Sequence, residues 1–291
     1  MRNKNILFIG LGTMGYHMAG HLSINKKINA FVWNRSVNKI NKWLRNYDGK
    51  KLDNHLHNDF FDTFILCLKD DNSIYDVLVK NKFIKYLKPN STIIDHSTTS
   101  LQIIETITKN KSFQYKNIKY IDAPVSGGEQ GAIDGKLSTM IGGNNININY
   151  ISNLISAYCK NITHIGKSGD GQLAKMVNQI AISGVLFGLS EAITFGKSSK
   201  LNMDKVFEAI SAGAAQSWQL DNRFQTMNAN KFNFGFAVDL MIKDLKIAIK
   251  ESEKSGKNYF LTKNVLNKYK KLSKQGNGRL DTSSLIKAIG K

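Results

Sequence analysis

Six residues near the start of the chain, Gly10-Leu11-Gly12-Thr13-Met14-Gly15, have the types and spacing that hold a dinucleotide. Gly10 permits a tight turn, Gly12 lets the backbone approach a pyrophosphate, and Gly15 lets a following helix lie close on the preceding strand. The N-terminus of that helix offers its unbonded N–H groups and the positive end of its dipole to the phosphates. A bare GxGxxG carries little weight. Set between an apolar strand over 5–9 and a helix-period segment over 14–22, it reads as a cofactor loop. About 20 residues on, where a carboxylate would hold an NAD ribose, the sequence is Asn34-Arg35-Ser36. Arg35 could pair with a 2′-phosphate through two N–H groups while Ser36 donates another bond, which favours NADP and leaves NAD possible. Arg35 could equally stack on the adenine face, which would tolerate either cofactor.

Two further constellations stand out. In residues 120–143, YIDAPVSGGEQGAIDGKLSTMIGG, the segment Ser126-Gly127-Gly128 follows a strand. Its backbone N–H groups and its hydroxyl could grip a carboxylate at the carboxyl end of a sheet; a glycine turn before a helix is the plainer reading. In Gly169–Asn178, GxGxxxKxxN, Lys175 and Asn178 stand three apart and share a helix face. A lysine on a helix is ordinarily a solvated one, so spacing alone assigns it no chemistry. His17 and His21 have the i, i+4 separation of a metal pair. Without the glutamate of HExxH, and with Gly20 preceding the second histidine, no metal site is expected. Cys67 and Cys159 stand apart, outside any CxxC, which argues against disulfides and thiolate metal sites.

These residues need a scaffold. The 291 residues, 42% hydrophobic, are enough for two domains. Strands are expected over 5–9, 30–33, 63–68, 92–95, 120–123, 138–142 and 162–165. Helices are expected over 14–22 and 37–44, from Ser73, and after Ser100. Such alternation implies an α/β, Rossmann-like doubly wound sheet, mainly parallel and covered on both faces. After about Gly166 the pattern turns all-helical: one long helix to about Ser199, then helices beginning near Asp204, Ser217, Ala237, Thr262 and Ser283. The expected division is residues 1–166 for NAD(P) binding and 167–291 for the substrate and dimerisation. The long helix is apolar on more than one side and so needs a partner, between domains or between subunits.

The formal charge of +19 raises the possibility of nucleic acid. The lysines are spread along the chain, however, and the densest group, Lys263, Lys268, Lys270, Lys271 and Lys274, falls on an amphipathic helix. No zinc-finger, RRM-like or KH-like signature accompanies them. An anionic cofactor and a small anionic substrate suit the basicity better. The Met1-Arg2-Asn3-Lys4 start runs into a strand too short for a signal-peptide core. No stretch reaches roughly 18 uninterrupted apolar residues, so no membrane span is expected. A reducing, cytoplasmic setting fits.

The whole set resembles the β-hydroxyacid dehydrogenases, the family of 3-hydroxyisobutyrate dehydrogenases, tartronate semialdehyde reductases and related serine dehydrogenases. The likeness covers nearly the whole chain. It rests on the glycine loop, DHST at 95–98, DAPVSGG, GxGxxxKxxN and KDL at 243–245. GAAQSWQLDNR at 213–223 and GRLDTSSLI at 278–286 look closest to the 3-hydroxyisobutyrate/serine branch. The resemblance implies hydride transfer between a nicotinamide and a small 3-hydroxy acid or its semialdehyde. It gives Lys175 the proton-exchanging role and has Asn178 orient substrate. A free lysine, with a pKa near 10.4, would need burial or cationic company to work near neutral pH. The resemblance also implies substrate contacts from Ser126, Gly127, Gly128, Trp218 and Phe236, although the two aromatics read equally as core. Cofactor contacts follow in the same way from Leu68, Lys69, Ser97, Thr98 and Lys243, with Asp244 steadying Lys243. Lys69 replaces the family's usual Pro, and Gln179 stands where many relatives have Asn. Homodimers or homotetramers are implied. Imine reductases of this fold usually lack the lysine, phosphogluconate dehydrogenase has a much larger helical domain, and a basic nucleic-acid scaffold would not need Lys175, Asn178 and Lys243.

Overall fold

The computed structural model describes residues 3–53 and 57–289, so Met1 and Arg2 of the expected leaderless start lie outside the described residues. The chain divides into two compact units, Met1–Lys175 and Met176–Lys291.

In the first unit β1 (Lys4–Ile9) leads into α1 (Thr13–Ser23), β2 (Ile28–Trp33) into α2 (Val37–Asn46), and a two-residue β3 (Lys50–Lys51) follows. Next come β4 (Phe61–Leu66), α3 (Asp71–Tyr75) with a wider π-type turn behind it, and β5 (Leu87–Asp95) with α4 (Leu101–Thr108) and α5 (Lys111–Tyr115). β6 (Lys119–Asp122), β7 (Val125–Ser126), α6 (Gly128–Ile133), β8 (Leu137–Gly142), α7 (Ile148–Ile155) and β9 (Cys159–Gly166) complete it. The sheet runs β3-β2-β1-β4-β5-β6-β8-β7, with β9 on β8. It is parallel except where β8 meets β6 and β7.

The reason for a sheet covered on both faces is visible in β1. Its side chains alternate between two cores, Ile6 and Phe8 into one, Leu7 and Ile9 into the other. β4 and β5 do the same, Ile65 and Ile94 facing the first core and Phe64, Leu66 and Ile93 the second. Ser100 caps α4 and Asp70 caps α3, so α3 begins two residues before the expected Ser73. Ser126 does not follow β6 directly, as the sequence suggested. Thr139 donates from its hydroxyl to the Ala123 and Pro124 carbonyls and draws 125–126 into an antiparallel strand of its own.

The long helix, α8 (Asp170–Ser198), starts in the first unit and continues into the second. There α9 (Met203–Ser211), α10 (Trp218–Asn228), α11 (Val238–Lys254) and α12 (Phe260–Leu272) follow, then a 3₁₀ segment, Thr282–Ala288. Leu186, Leu189 and Ile193 of α8 pack with Phe224, Leu245, Val265 and Tyr269 in this unit's core. By length and composition alone α8 could cross a membrane, although polar residues interrupt its apolar run. Gln179 is buried on it and hydrogen-bonded within the unit, which suits a core helix.

Candidate active site

The glycine loop is built as its spacing demands. Gly10 turns with φ +105°, and a Cβ there would run into the Cys67 carbonyl. A Cβ on Gly15 would overlap the Gly10 carbonyl oxygen and come within 3.1 Å of the Phe8 ring. Gly12 differs: nothing lies within 4 Å of where its Cβ would be. Behind it α1 begins with neither a side-chain cap nor an acidic residue in its first turn. That open cradle and those uncapped amides fit a pyrophosphate. Asn34 braces the loop, accepting from Leu11 N at 3.0 Å and donating to the Ser36 carbonyl at 3.2 Å. Arg35 and Ser36 are exposed just past β2, and the Ser36 hydroxyl makes no capping bond to α2.

Leu68, Lys69, Ser97 and Thr98 follow the carboxyl ends of β4, which lies beside β1, and of β5, which lies beside β4. The Ser97 hydroxyl accepts from Leu68 N at 2.8 Å and ties the two loops together. Lys69 is exposed, and Asp70 directly after it accepts from Ser73 N and Oγ, so a cap rather than a proline ring shapes this turn. Beneath Ser97, Asp95 accepts from Tyr120 Oη at 2.6 Å and from Ser97 N at 2.9 Å. Burial raises its pKa to about 6, and the bonds from Ser97 and Tyr120 oppose that. His96 Nδ1 lies 2.6 Å from the Ala123 carbonyl, which can only accept, so Nδ1 carries the proton and Nε2 faces Tyr158 Oη at 2.9 Å. Burial holds this imidazole neutral, with a pKa lowered to about 4.

Ser126 is half-buried, while Gly127 and Gly128 are exposed with φ of +127° and +64°. No neighbour lies within 4 Å of a Cβ on Gly128, leaving its backbone open to a ligand.

Lys175 is buried, only 7% exposed. Two residues to which the sequence gave no role set the turn that carries it. Asp122, the first residue of DAPVSGG, accepts from Gly169 N at 2.8 Å and Gln172 N at 3.0 Å, a carboxylate on the positive end of α8. Burial raises the Asp122 pKa, and these backbone bonds oppose the rise. Gln172, three residues before Lys175, donates to the Ser97 carbonyl at 2.8 Å and accepts from Thr99 N at 3.0 Å. Its i−3 spacing from Lys175 was the available signal. A Cβ on Gly171 would collide with the Met140 carbonyl oxygen, which explains the second glycine of GxG.

In the second unit, Asn178 Nδ2 donates to Gln179 Oε1 at 2.8 Å, and Gln179 Nε2 donates to Asp244 Oδ2 at 2.7 Å. Asp244 is buried, and Lys243 Nζ sits 2.9 Å from its other oxygen as a charge contact without hydrogen-bond alignment. Gln179, the departure from the common Asn, is therefore the bridge joining α8 to the KDL segment. Trp218 opens α10 and is exposed. Phe236 is half-buried beside this unit's core. Arg223 and Asp281, inside the two late motifs but without a role from sequence, organise both aromatics. The guanidinium lies 5.0 Å from the Trp218 ring and 3.2 Å from Asp281, and Asp281 accepts from Phe236 N at 2.9 Å.

His21 is engaged with the Ala132 and Ile133 carbonyls, and among the described residues no three His, Cys, Asp or Glu side chains gather as a metal would require. Burial pushes both thiols, Cys67 and Cys159, up to about 12.

Comparison with known proteins agrees with this geometry. Residues 5–166 match the NAD binding domain of 6-phosphogluconate dehydrogenase, and residues 169–289 match the NAD-binding domain of NADP-dependent 3-hydroxyisobutyrate dehydrogenase. An uncharacterised oxidoreductase of Shewanella frigidimarina is 38% identical over 288 residues, covering 98% of both chains. A probable 3-hydroxyisobutyrate dehydrogenase-like protein of Arabidopsis thaliana is 32% identical over 99% of this chain and 85% of its own. Among solved structures, Mycobacterium tuberculosis 3-hydroxyisobutyrate dehydrogenase with L-serine superposes with a TM-score of 0.87, at 22% identity over 99% of this chain and all of that one. The chain belongs to the β-hydroxyacid dehydrogenase family. It is an NAD(P)-dependent oxidoreductase acting on CH–OH, of the 3-hydroxyisobutyrate dehydrogenase-like kind.

Proposed function

We propose that the protein oxidises a small 3-hydroxy acid such as 3-hydroxyisobutyrate or L-serine, or reduces the matching semialdehyde, with NADP preferred and NAD accepted. The observation that carries the reading is Lys175, buried one turn beyond a helix start that Asp122 and Gln172 hold in place. When bound, the nicotinamide supplies or accepts the hydride. Lys175 takes the hydroxyl proton during oxidation and returns it during reduction. Asn178, on the same face of α8, orients the substrate. Ser126, Gly127 and Gly128 receive its carboxylate, with Trp218 and Phe236 shaping its surroundings. Gly10 to Gly15, Asn34, Arg35, Ser36, Leu68, Lys69, Ser97, Thr98 and Lys243 serve the cofactor, Asn34 by bracing the loop. Residues 1–166 carry the cofactor role and 167–291 the substrate and self-association roles, in a cytoplasmic homodimer or homotetramer.

The test is a steady-state panel with both cofactors against 3-hydroxyisobutyrate, L-serine, glycerate and succinic semialdehyde, on the wild type and Lys175→Ala. The variant should keep cofactor affinity while turnover drops by about 10²–10⁴-fold or more, the range for a general acid–base group. Near wild-type turnover would remove Lys175 from the chemistry. Glycerate, the reduced partner of tartronate semialdehyde, or succinic semialdehyde as the best substrate would move the protein to another branch of the family.

A further inference from the structure

We infer that the first unit has a second ligand site, for a small phosphate-bearing anion, at the amino-terminal ends of its strands. A cavity of about 330 Å³ opens there, at the lower end of the size range of small-molecule sites. Lys4 comes from the start of β1, Asp62 from β4, Lys88 and Ser91 from β5, Lys119 from the start of β6 and Tyr150 from α7. Three ammonium groups thus meet one carboxylate, and the remaining lining residues are uncharged. Lys88 is paired to Asp62 at 2.7 Å. Lys4 lies over the Tyr150 ring at 3.8 Å, and Lys119 donates to the Asn145 carbonyl at 2.9 Å. Among the described residues neither Lys4 nor Lys119 has a carboxylate partner, so two positive charges are left uncompensated.

The second observation is Ser91. It lines the same cavity, is 4% exposed, and its hydroxyl has no hydrogen-bond partner among the described residues. Buried hydroxyls are nearly always satisfied, because leaving one bare forfeits its bonds to water. The hydroxyl is closed to water as it stands, and a turn about χ1 would bring it to a ligand oxygen in the cavity. Two uncompensated ammonium groups suit a phosphate, which carries close to two negative charges at neutral pH and which lysine binds as a point charge, over a single carboxylate. The site is distinct from the cofactor loop. Lys4 and Ile9 stand at opposite ends of β1, about 17 Å apart at the usual strand rise.

Calorimetric titration with inorganic phosphate and with glycerol 3-phosphate tests this, using enzyme saturated with dinucleotide so that the glycine loop is filled, at fixed ionic strength. Wild type, Ser91→Ala and the Lys4→Ala/Lys119→Ala double variant are compared. The wild type should bind both ligands. Ser91→Ala should weaken binding about tenfold, the effect of one hydrogen bond to a charged group, and the double variant should abolish it. Ser91→Ala should also keep or raise the Tm of the ligand-free protein, because the hydroxyl makes no bond there, so weaker binding is not unfolding. Equal affinity in all three proteins, or no binding by the wild type, overturns the site. Succinate binding as tightly as phosphate overturns the phosphate assignment. Repeating the titration on Lys175→Ala keeps the outcome separate from the proposed catalytic role.

Discussion

Asp95 and His96 are neighbours at the end of β5, and burial moves their pKa values in opposite directions, to about 6 and about 4. Folded Asp95 holds its proton more tightly than the unfolded chain does. Its stabilising share is complete below about pH 4 and is lost as the pH rises to about 6. Folded His96 resists protonation, so its share is complete above about 6.5 and is lost as the pH falls to about 4. Each slope approaches about 1.4 kcal/mol per pH unit, and between pH 4 and 6 they oppose one another. Wild-type stability should therefore change little in that window on account of this pair. Asp95→Asn should unmask the histidine, and urea-unfolding free energies should climb from pH 4 to 6.5; a curve parallel to wild type would contradict the assignment. Arg35 supplies a second test. Arg35→Ala should weaken NADP by about 10–100-fold, the worth of charge-assisted hydrogen bonds, and leave NAD almost untouched. Equal losses would favour adenine stacking. Sequence marked Arg35 clearly because a missing carboxylate is a local signal. It could not mark the opposed titrations of Asp95 and His96, which depend on burial against Tyr120, Ala123 and Tyr158, all distant in the chain.

Elements were legible where their pattern was their own. The strands of β1, β4 and β5 and the start of α8 could be read from apolar runs and glycines. β3 could not, since two lysines make a strand only through pairing with β2. α7 was missed in the Asn- and Ile-rich stretch between two expected strands, although Asn147 caps it. Asp122 escaped notice as an anchor because the amides it receives lie 47 and 50 residues downstream. The glycine loop allows fold and binding to be separated. Gly15→Ala must displace backbone, and a cost of about 1–3 kcal/mol should appear as a lower Tm. Gly12→Ala meets open space, so its stability should stay within about 0.5 kcal/mol of wild type while dinucleotide affinity falls. If Gly12→Ala bound cofactor normally, the cradle would not be where the pyrophosphate sits.

For the whole molecule, the net charge of +19 and the apolar surface of α8 make separate forecasts. Val177, Val185 and Phe195 are exposed on that helix, Phe195 by 70%. A patch of this kind favours self-association. Val185→Asp with Phe195→Asp should move the sedimentation coefficient towards that of a monomer, and an unchanged value would place any interface elsewhere. Duplex DNA binding, if seen at all, should be weak and vanish with added salt, as diffuse charge dictates. The position of Lys175 also bears on engineering. Asp122 and Gln172 lash the first turn of α8 to the sheet, and the compact first unit ends at Lys175 itself. In chimaeras made with a relative's helical half, a crossover just after residue 175 would keep the amine in its native mooring. A splice at the loop before Asp170 would hand that mooring to a foreign sequence.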